Sequence, residues 1–355
     1  MKQRLVFTTA CMCFSALFGK QADCDQKPSK PTSRPAKQIP NPLQHQLPLY
    51  ETYDNIGWAN VGVRADILYM IYNSSILTFA SNQSLNPSAT VLTSDIVTVP
   101  GKLSLGCNLA LTYTLPSQPG YTFESSWFHI VARFGKKDVD RGLVPAHSVA
   151  LTRSSPGSAT VNAQIAINLF DAMVMKRFAF GDWFTITPGA GLVGGYMNTH
   201  NRAFYSANGG NFGSSTTHSG LVQHFKYEGI GAKVGGRSTF RIWDRFKFNA
   251  DFFYNTLYGY GHGSLSYTSN GSYNGLNAAN STYRNHFGRT FFDTLLGLSW
   301  DYTFNQDSLY LELHAAWRFQ SFSSGWREFE AEFNDALHDL TLNGQGLQAG
   351  ATFKF

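Results

Sequence analysis

The chain has 355 residues and a formal net charge of +5, and only 14% of its residues are charged although its mean hydropathy is -0.20. The polarity must therefore come from Asn, Ser, Thr, Gln and Gly, while an aromatic content of 15% excludes disorder for most of the chain. The positive charge is spread along the sequence without a basic stripe, so we expect no nucleic-acid binding. Beyond the first residues no apolar run is long enough for a membrane-spanning helix, which excludes a helical membrane protein.

The N-terminus has the pattern of a secretory signal peptide. Residues 1–4 are basic and residues 5–18 are apolar, so we predict a signal peptide over residues 1–19. The Pro-rich, basic residues 20–49 predict an extended periplasmic tail, which acts either as a passive spacer or as a contact with peptidoglycan. Residues 50–355 are left for the folded domain. Cys24 and Cys107 remain after cleavage, with no indicated disulfide.

From residue 57 onwards, apolar and polar residues alternate with period two in about ten segments. In the first segment, residues 58–72, Val63 and Ile67 share one face, whereas Arg64 and Asp66 share the other. An apolar face of this length predicts a tilted strand that crosses a bilayer. The same pattern recurs in residues 103–113, 128–134, 161–169, 184–196, 230–242, 246–254, 296–302, 309–319 and 347–355.

The apolar face of each segment is predicted to contact lipid. In residues 128–134, this rule points Phe128 and Ile130 at the lipid and places His129 and Arg133 in the lumen. In residues 161–169, the same rule points every second residue, from Val161 to Leu169, at the lipid. The phase of the alternation then slips by one residue near residues 170–171, which predicts a β-bulge.

The connections between these segments fall into two classes. Tight turns are predicted at residues 116–120, 180–182, 243–245 and 305–307, and long polar loops at residues 73–100, 136–157, 199–221, 268–286 and 323–339. Short turns at one end and long loops at the other are typical of outer-membrane barrels, whose turns and termini lie in the periplasm. A soluble β-sandwich or barrel is the alternative, but it would carry more charge and would not sort its loops by length.

The predicted fold is therefore all-β: a transmembrane, antiparallel, up-and-down β-barrel of about ten strands, with eight or twelve as alternatives. Aromatic residues near the turns indicate an interfacial girdle. Closure requires the last strand, residues 347–355, to pair with the first, residues 58–71, because an open edge is costly in lipid. The final strand also looks like the C-terminal strand of outer-membrane barrels, in which terminal aromatics, here Phe353 and Phe355, are read by the barrel assembly machinery.

Several stretches resemble the major-outer-membrane-protein-like family of Legionella and the chlamydia-related bacteria. They are residues 168–177 (NLFDAMVMKR), 183–191 (WFTITPGAG), 229–235 (GIGAKVG), 257–259, 295–301 (LLGLSWD), 315–317 and 346–355. The resemblance covers residues 57–355 and implies an outer-membrane barrel that is described as pore-forming and is sometimes linked to host attachment. Where an acidic pair in an Asp-x-Glu pattern is expected, this chain has Asp171 followed by Met173.

Charged residues on the polar faces are the candidate lumen-lining residues. The basic ones are Arg64, Arg133, Lys233, Arg237, Arg241, Lys247, Arg289, Arg318 and Lys354; the others are Asp66, Asp171, Asp251, Asp293, Asp301, Glu312 and His314. Their slight basic excess predicts a weak preference for anions if the lumen is open. Ten strands enclose a narrow lumen, however, so opposite charges could equally pair across it and plug it.

We expect no enzyme, metal or cofactor. Asp293, Glu312 and His314 come nearest to the catalytic groups of barrel enzymes, but they lie in mid-strand or near the turns rather than at the outer rim. The His and Cys residues lack the spacing of a zinc site. Residues 189–194 fit G-x-G-x-x-G, but they lie in a predicted strand that no helix follows, so a steric role is preferred to a dinucleotide site.

Two functions are consistent with these observations. The first is a porin-like barrel for passive diffusion of small solutes and ions. The second is a non-conducting surface barrel, an adhesin or structural protein, which uses loops 199–221 and 268–286 with their aromatic residues Phe204, Tyr205, Tyr267, Tyr273 and Tyr283. The expected location is the outer membrane of a Gram-negative cell. Expected partners are membrane lipid, lipopolysaccharide, the barrel assembly machinery, small solutes, and host-surface or peptidoglycan groups.

Overall fold

The computed structural model describes residues 60–74, 78–84, 93–118, 120–138, 143–145, 158–207, 217–269, 278–304, 309–323 and 341–355. The predicted signal peptide (residues 1–19), the predicted tail (residues 20–49) and the turn at residues 305–307 lie outside these residues, as do Cys24 and Tyr273. Among the described residues, no helix has the length and apolar character needed to cross a membrane.

Fourteen strands lie in the described parts of the chain. They are β1 (Val61–Ser74), β2 (Thr78–Ser84), β3 (Thr93–Thr98), β4 (Gly101–Thr114), β5 (Tyr121–Asp138), β6 (Leu143–Pro145), β7 (Ser158–Lys176), β8 (Phe178–Phe180), β9 (Phe184–Ala207), β10 (Thr217–Arg241), β11 (Phe246–Ser269), β12 (Ala278–Phe304), β13 (Leu309–Ser323) and β14 (Leu342–Lys354).

Ten of these strands close into an antiparallel barrel in the order β1-β4-β5-β7-β9-β10-β11-β12-β13-β14, while β8 pairs with the turn end of β9. The predicted count of about ten is confirmed. The predicted closure is also confirmed, because Val63 lies opposite Phe353 and Tyr69 opposite Leu347. At the end of this seam, the Phe355 amide donates to the Val61 carbonyl at 3.0 Å. Pairing the first strand with the last leaves neither as an open edge in lipid.

The tight turns join strands at one end of the barrel. Gly120 and Gly181 have φ of 105° and 67° there, values that suit residues without a Cβ. Exposed aromatic side chains cluster at the same end, including Phe180, Trp183 and Trp243. The predicted girdle is therefore present at the turn end, which we take as the periplasmic end.

The opposite end contains more strand than the sequence predicts. Two predicted loops, residues 199–221 and 268–286, are largely strand: β9 continues to Ala207, where it pairs with Thr217 of β10, and Thr268 of β11 pairs with Ala278 of β12. The connections predicted at residues 73–100 and 136–157 also contain strand, since β2 pairs with both β3 and β6 in a small separate sheet. Ser, Asn and Gly in these segments favour loops, but backbone pairing tolerates them on exposed faces.

The alternation reverses its faces along the barrel. On β7, Phe170 and Val174 near the turns point outward and are exposed, whereas Ile165 and Ile167 farther along point inward and are fully buried. The ladder between β5 and β7 runs through this point without a shift, so the predicted bulge near residues 170–171 is wrong. The apparent slip marks where the apolar face changes from the outside to the inside. In the described part of the barrel, the pairing register shifts elsewhere, between Lys102 and Gly106 of β4 where this strand pairs with β5.

This reversal divides the barrel into two zones. In the turn-side zone, apolar side chains face outward in a lipid-facing band, with Ile67, Leu105 and Ile230 about two-thirds exposed. In the far zone the interior is apolar and the outer wall is polar, as in a water-soluble barrel. The predicted orientation of residues 128–134 is therefore inverted: Phe128 and Ile130 point inward, and His129 and Arg133 point outward.

Candidate functional site

The interior of the turn-side zone holds a layer of ionisable side chains, which we call the charged layer. At its centre, Arg237 of β10 crosses the lumen to Glu124 of β5, with both terminal guanidinium nitrogens 2.6 Å from carboxylate oxygens. Nε of the same Arg237 donates to Asp251 at 3.1 Å. The Glu124 side chain is only 3% exposed, so the bidentate pair replaces the water it would otherwise bind.

A second centre forms around Asp66 of β1, whose side chain is fully buried. His314 Nε2 lies 2.6 Å from Asp66 Oδ1, while the amides of Asn108 and Gln348 donate to Oδ2 at 2.8 and 2.6 Å. Arg64 links the two centres, because its Nε lies 3.3 Å from Asp66 and its Nη2 lies 3.9 Å from Glu124. The carboxylate is thus satisfied by groups from four different strands.

A third centre joins β12, β13 and β14. Arg318 forms a two-point ion pair with Asp293 and donates from Nη1 to Gln348 Oε1 at 3.0 Å. The Arg318 guanidinium also lies 4.5 Å from the ring centroid of Phe128 on β5. Because Gln348 also contacts Asp66, the three centres form one continuous network across the lumen.

Three smaller contacts complete the charged layer. Lys233 Nζ lies 2.6 Å from Asp171 Oδ2, and Lys247 Nζ lies 3.1 Å from Asp301 Oδ2. The Tyr310 hydroxyl donates to Glu312 at 2.8 Å. Charges of both signs are therefore matched locally, so the part of the lumen that the structure describes presents no long uncompensated field of one sign.

Above the charged layer the lumen is filled by hydrophobic side chains, which we call the apolar layer. These side chains include Leu68, Met70, Tyr72, Ile130, Ala132, Ile165, Ile167, Val193, Met197, Tyr227, Leu257, Phe291 and Phe322, each at most 2% exposed. Where the two layers meet, a cavity of about 40 Å³ is bounded by groups such as Arg64, Glu124 and Phe291. Such a space holds at most a few water molecules.

The structure places most of the predicted lumen-lining residues inside the barrel. They are Arg64, Asp66, Asp171, Lys233, Arg237, Lys247, Asp251, Asp293, Asp301, Glu312, His314 and Arg318, all in the charged layer. Arg241 ends β10 at the turn-side rim. Arg289 points inward but lies in the apolar layer, 4.4 Å from the Tyr227 ring centroid and with Nη1 3.1 Å from Met197 Sδ.

One predicted lumen residue requires correction. Arg133 lies on the outer wall and is exposed, because the inward positions of β5 are those of Glu124, Phe128 and Ile130. His129 is outside as well, where its Nδ1 lies 2.8 Å from Asn168 Oδ1. The same inversion explains why Glu124 is absent from the predicted set. The alternation of Glu124 with the apolar Phe123 indicates that Glu124 faces the lumen. The apolar residues of 128–134 indicate the opposite orientation for β5, and the prediction follows them.

The groups with catalytic potential do not form one constellation. Asp293 pairs with Arg318, His314 with Asp66, and Glu312 with Tyr310. Among the residues that the structure describes, no three His, Cys, Asp or Glu side chains are placed to hold a metal ion. The glycines of residues 189–194 lie within β9, and a Cβ on Gly191 would lie 2.0 Å from the Ala172 carbonyl oxygen, which supports a steric role for them.

Solved structures similar to this chain are outer-membrane proteins of several kinds. They include the outer membrane protease OmpT of Escherichia coli (11% identity, 85% of this chain and 100% of that chain, TM-score 0.41). Others are the toluene transporter TodX of P. putida (7% identity, 83% and 90%, TM-score 0.28) and the attachment invasion locus protein Ail of Yersinia pestis (11% identity, 83% and 99%, TM-score 0.21). At these TM-scores and identities, none of them carries an argument about function.

A comparison with curated proteins gives no match. The sequence model of the family described as the Legionella pneumophila major outer membrane protein precursor matches residues 56–354. That range covers the whole barrel from before β1 to the end of β14, and the resemblance seen in the sequence motifs is thereby confirmed. The chain therefore belongs to the Legionella major outer membrane protein family and is an outer-membrane β-barrel.

Proposed function

We propose that this protein is a non-conducting surface barrel of a Gram-negative outer membrane, which acts through the part that projects beyond the lipid-facing band. The observation that carries the proposal is the filled lumen. Passage of a solute needs a continuous polar path, yet the apolar layer crosses the lumen with Leu68, Ile130 and Ile165 fully buried. An ion in that layer would lose its hydration without compensating ligands.

The charged layer supports the same function. Most of its carboxylates are paired or hydrogen-bonded to groups of other strands, as Glu124 is with Arg237 and Asp66 with His314. A permeating ion would have to break these contacts, and separating buried charge pairs is costly. The pairing of Asp293 with Arg318 and of His314 with Asp66 likewise supports a structural rather than a catalytic role for these groups.

The projecting wall supplies a surface for recognition. Strands β9 to β12 have 24 to 27 residues, whereas about 9 to 11 residues suffice to cross a bilayer as a tilted strand. Their far halves carry mostly polar groups on the outside and mostly apolar groups on the inside, as on β10 with Lys226 outside and Tyr227 inside. This construction suits a rigid platform for binding or for structural contacts at the cell surface.

The alternative is a porin-like channel for small solutes and ions, and it requires the apolar layer to move aside. Conductance of the purified, folded protein in planar bilayers separates the two functions. We expect no stepwise openings from the wild type, with heat-modifiable gel mobility verifying that the barrel is folded. Stepwise conductance, or swelling of liposomes in small solutes, would contradict the proposal.

A variant with an opened lumen tests whether the apolar layer is the barrier. Replacing Tyr72, Ile130 and Phe291 together with Ala removes three buried side chains from that layer. We expect this variant to conduct. The matched control replaces the outward-facing Ile67, Leu105 and Leu313 with Ala and should stay closed. A folded lumen variant that stays silent even when Glu124 and Arg237, the central ion pair of the charged layer, are also replaced with Ala would contradict the role assigned to the apolar layer.

A further inference from the structure

A basic patch lies on the outer wall of the barrel, on the four longest strands and directly beyond the lipid-facing band. We call it the basic wall patch and define it by seven outward-facing side chains: His200, Arg202, His224, Lys226, His262, Arg284 and His286. It holds four of the ten His residues of the chain. All except His200 and His262, which are half-buried, are exposed.

The strand register brings these side chains together. Lys226 of β10 lies opposite His262 of β11, which in turn lies opposite Arg284 of β12. Adjacent strands are about 4.8 Å apart, so this row of three donors spans about 10 Å. In the next row, His200 of β9 faces His224 of β10 with their Nδ1 atoms 3.0 Å apart. The patch is therefore a compact array of donors from four strands.

The patch has little negative charge of its own. At the described outward positions of β9 to β12 beyond the lipid-facing band, the acidic side chain is Glu228. No carboxylate in the described part of the chain forms an ion pair with Arg202, Lys226 or Arg284. These three cations are thus available to an external anion.

The depth of the patch identifies the surroundings it meets. On β10, exposed Ile230 ends the lipid-facing band and Lys226 lies two outward positions beyond it; on β11, exposed Tyr258 is followed by Tyr260 and His262. Tyr260 therefore lies between the lipid-facing band and His262 on β11, and its ring is 5.1 Å from the ring of His286 at the edge of the patch. Tyr at such a boundary is typical of the headgroup level of a membrane. The basic wall patch therefore lies at the headgroups of the leaflet on the side opposite the turns.

We propose that the basic wall patch binds the phosphate groups of lipopolysaccharide, the phosphorylated glycolipid of the outer leaflet. Arg and Lys pair with phosphate oxygens through charge-assisted hydrogen bonds, and exposed His residues add donors. The apolar band below would contact the acyl chains of the same molecule, so one ligand satisfies both surfaces. This inference does not depend on whether the lumen conducts, since the patch is on the outer wall.

Binding of fluorescently labelled lipopolysaccharide to the purified, full-length barrel in a neutral detergent tests the proposal. The test variant combines Arg202→Gln, Lys226→Gln and Arg284→Gln, which keeps polarity and removes three charges. We expect its affinity to fall by about 100-fold, because each cation near an anionic lipid surface contributes a factor of about five. All three side chains are exposed, so the fold should survive, and heat-modifiable mobility checks that it does.

Arg133→Gln is the matched control, since Arg133 is also an exposed cation on the outer wall but lies on β5, outside the patch. Its affinity should stay within about twofold of the wild type. The wild-type protein should bind lipopolysaccharide stripped of phosphate about as weakly as the triple variant binds the intact glycolipid. Equal binding by the triple variant, or undiminished binding of the dephosphorylated glycolipid, would overturn the proposal. Preferential binding of phosphatidylglycerol in mixed detergent micelles over lipopolysaccharide would overturn it as well, by assigning the site to a phospholipid.

Discussion

Arg237 and Glu124 come from strands that are not neighbours in the barrel, and their two-point ion pair ties β10 to β5 across the lumen. Backbone pairing fixes each strand only to its neighbours, so cross-lumen contacts of this kind determine how the wall folds around its contents. The pair is surrounded by Asp251 and Arg64, which continue the network on both sides.

Replacing Glu124 with Gln should lower the free energy of unfolding by about 3 kcal/mol, because it leaves the half-buried guanidinium of Arg237 without its main counter-charge. Urea titration of the barrel in lipid vesicles, followed by tryptophan fluorescence, measures this change. A cycle with Arg237→Gln and the double variant should give a coupling energy of at least about 1 kcal/mol. Additive effects of the two substitutions would show that the pair contributes nothing as a pair.

The inverted faces of β5 predict a labelling pattern. In a background with the other cysteines replaced by Ser, Arg133→Cys should react rapidly with a membrane-impermeant maleimide on folded protein, because position 133 is exposed on the outer wall. Ala132→Cys should react only after unfolding, since Ala132 is fully buried in the lumen. Reversed reactivity would support the orientation that the alternation alone predicts, and equal reactivity would contradict the inversion.

The fold is largely predictable from the sequence, and β5 shows why part of the interior is not. Near the turns, apolar side chains face lipid and charged ones face the lumen, so the rule that apolar means outside correctly places Arg64, Lys233 and Arg318. Beyond the lipid-facing band the surroundings of both faces change. Water replaces lipid at the outer wall, and the interior must be hydrophobic to remain packed. Period two is unchanged across that boundary, so it reveals strands but not which face is inside.

The candidate site is also only partly predictable from the sequence. Sequence alone identifies the charged residues near the turns but does not decide whether they line an open path or pair across it, because partners such as Arg237 and Glu124 are far apart in sequence. The far segments of β9 to β12 are predicted as loops because Asn and Ser are frequent on their outer wall. Their inward neighbours, such as Phe225 and Tyr227, supply the packing that keeps those segments in the barrel.

Gly344 of β14 provides a test of the packing in the apolar layer. A Cβ at this position would lie 2.2 Å from Cε1 of Tyr72, which is fully buried and whose hydroxyl donates to Gln320 Oε1 at 2.7 Å. Because Tyr72 is fully buried, moving its ring would displace packed neighbours, so Gly344→Ala should destabilise the barrel by about 1–3 kcal/mol. The temperature at which the folded gel band disappears reports the change.

Gly288→Ala is the control for that experiment. The nearest atom to a Cβ at Gly288 is the Leu257 carbonyl oxygen at 3.7 Å, an ordinary contact distance. This substitution should leave the transition temperature within about two degrees of the wild type. If both substitutions lowered it equally, the loss would come from the strand backbone and not from the contact with Tyr72.

The closing seam offers a last prediction, about assembly rather than stability. Phe355 lies at the turn end of β14, with its amide bonded to the Val61 carbonyl and its side chain 47% exposed on the outer wall. Leu347 is on the same strand and the same face and is 46% exposed. Truncating either side chain to Ala removes a comparable contact with lipid, so the purified, refolded variants should differ little from each other in unfolding free energy.

If the terminal aromatic is an assembly signal, Phe355→Ala should reduce the folded barrel recovered from cell outer membranes several-fold, while Leu347→Ala should not. Equal recovery of the two variants would show that Phe355 serves only the lipid-facing band, and the closure of β1 on β14 would then require no terminal signal.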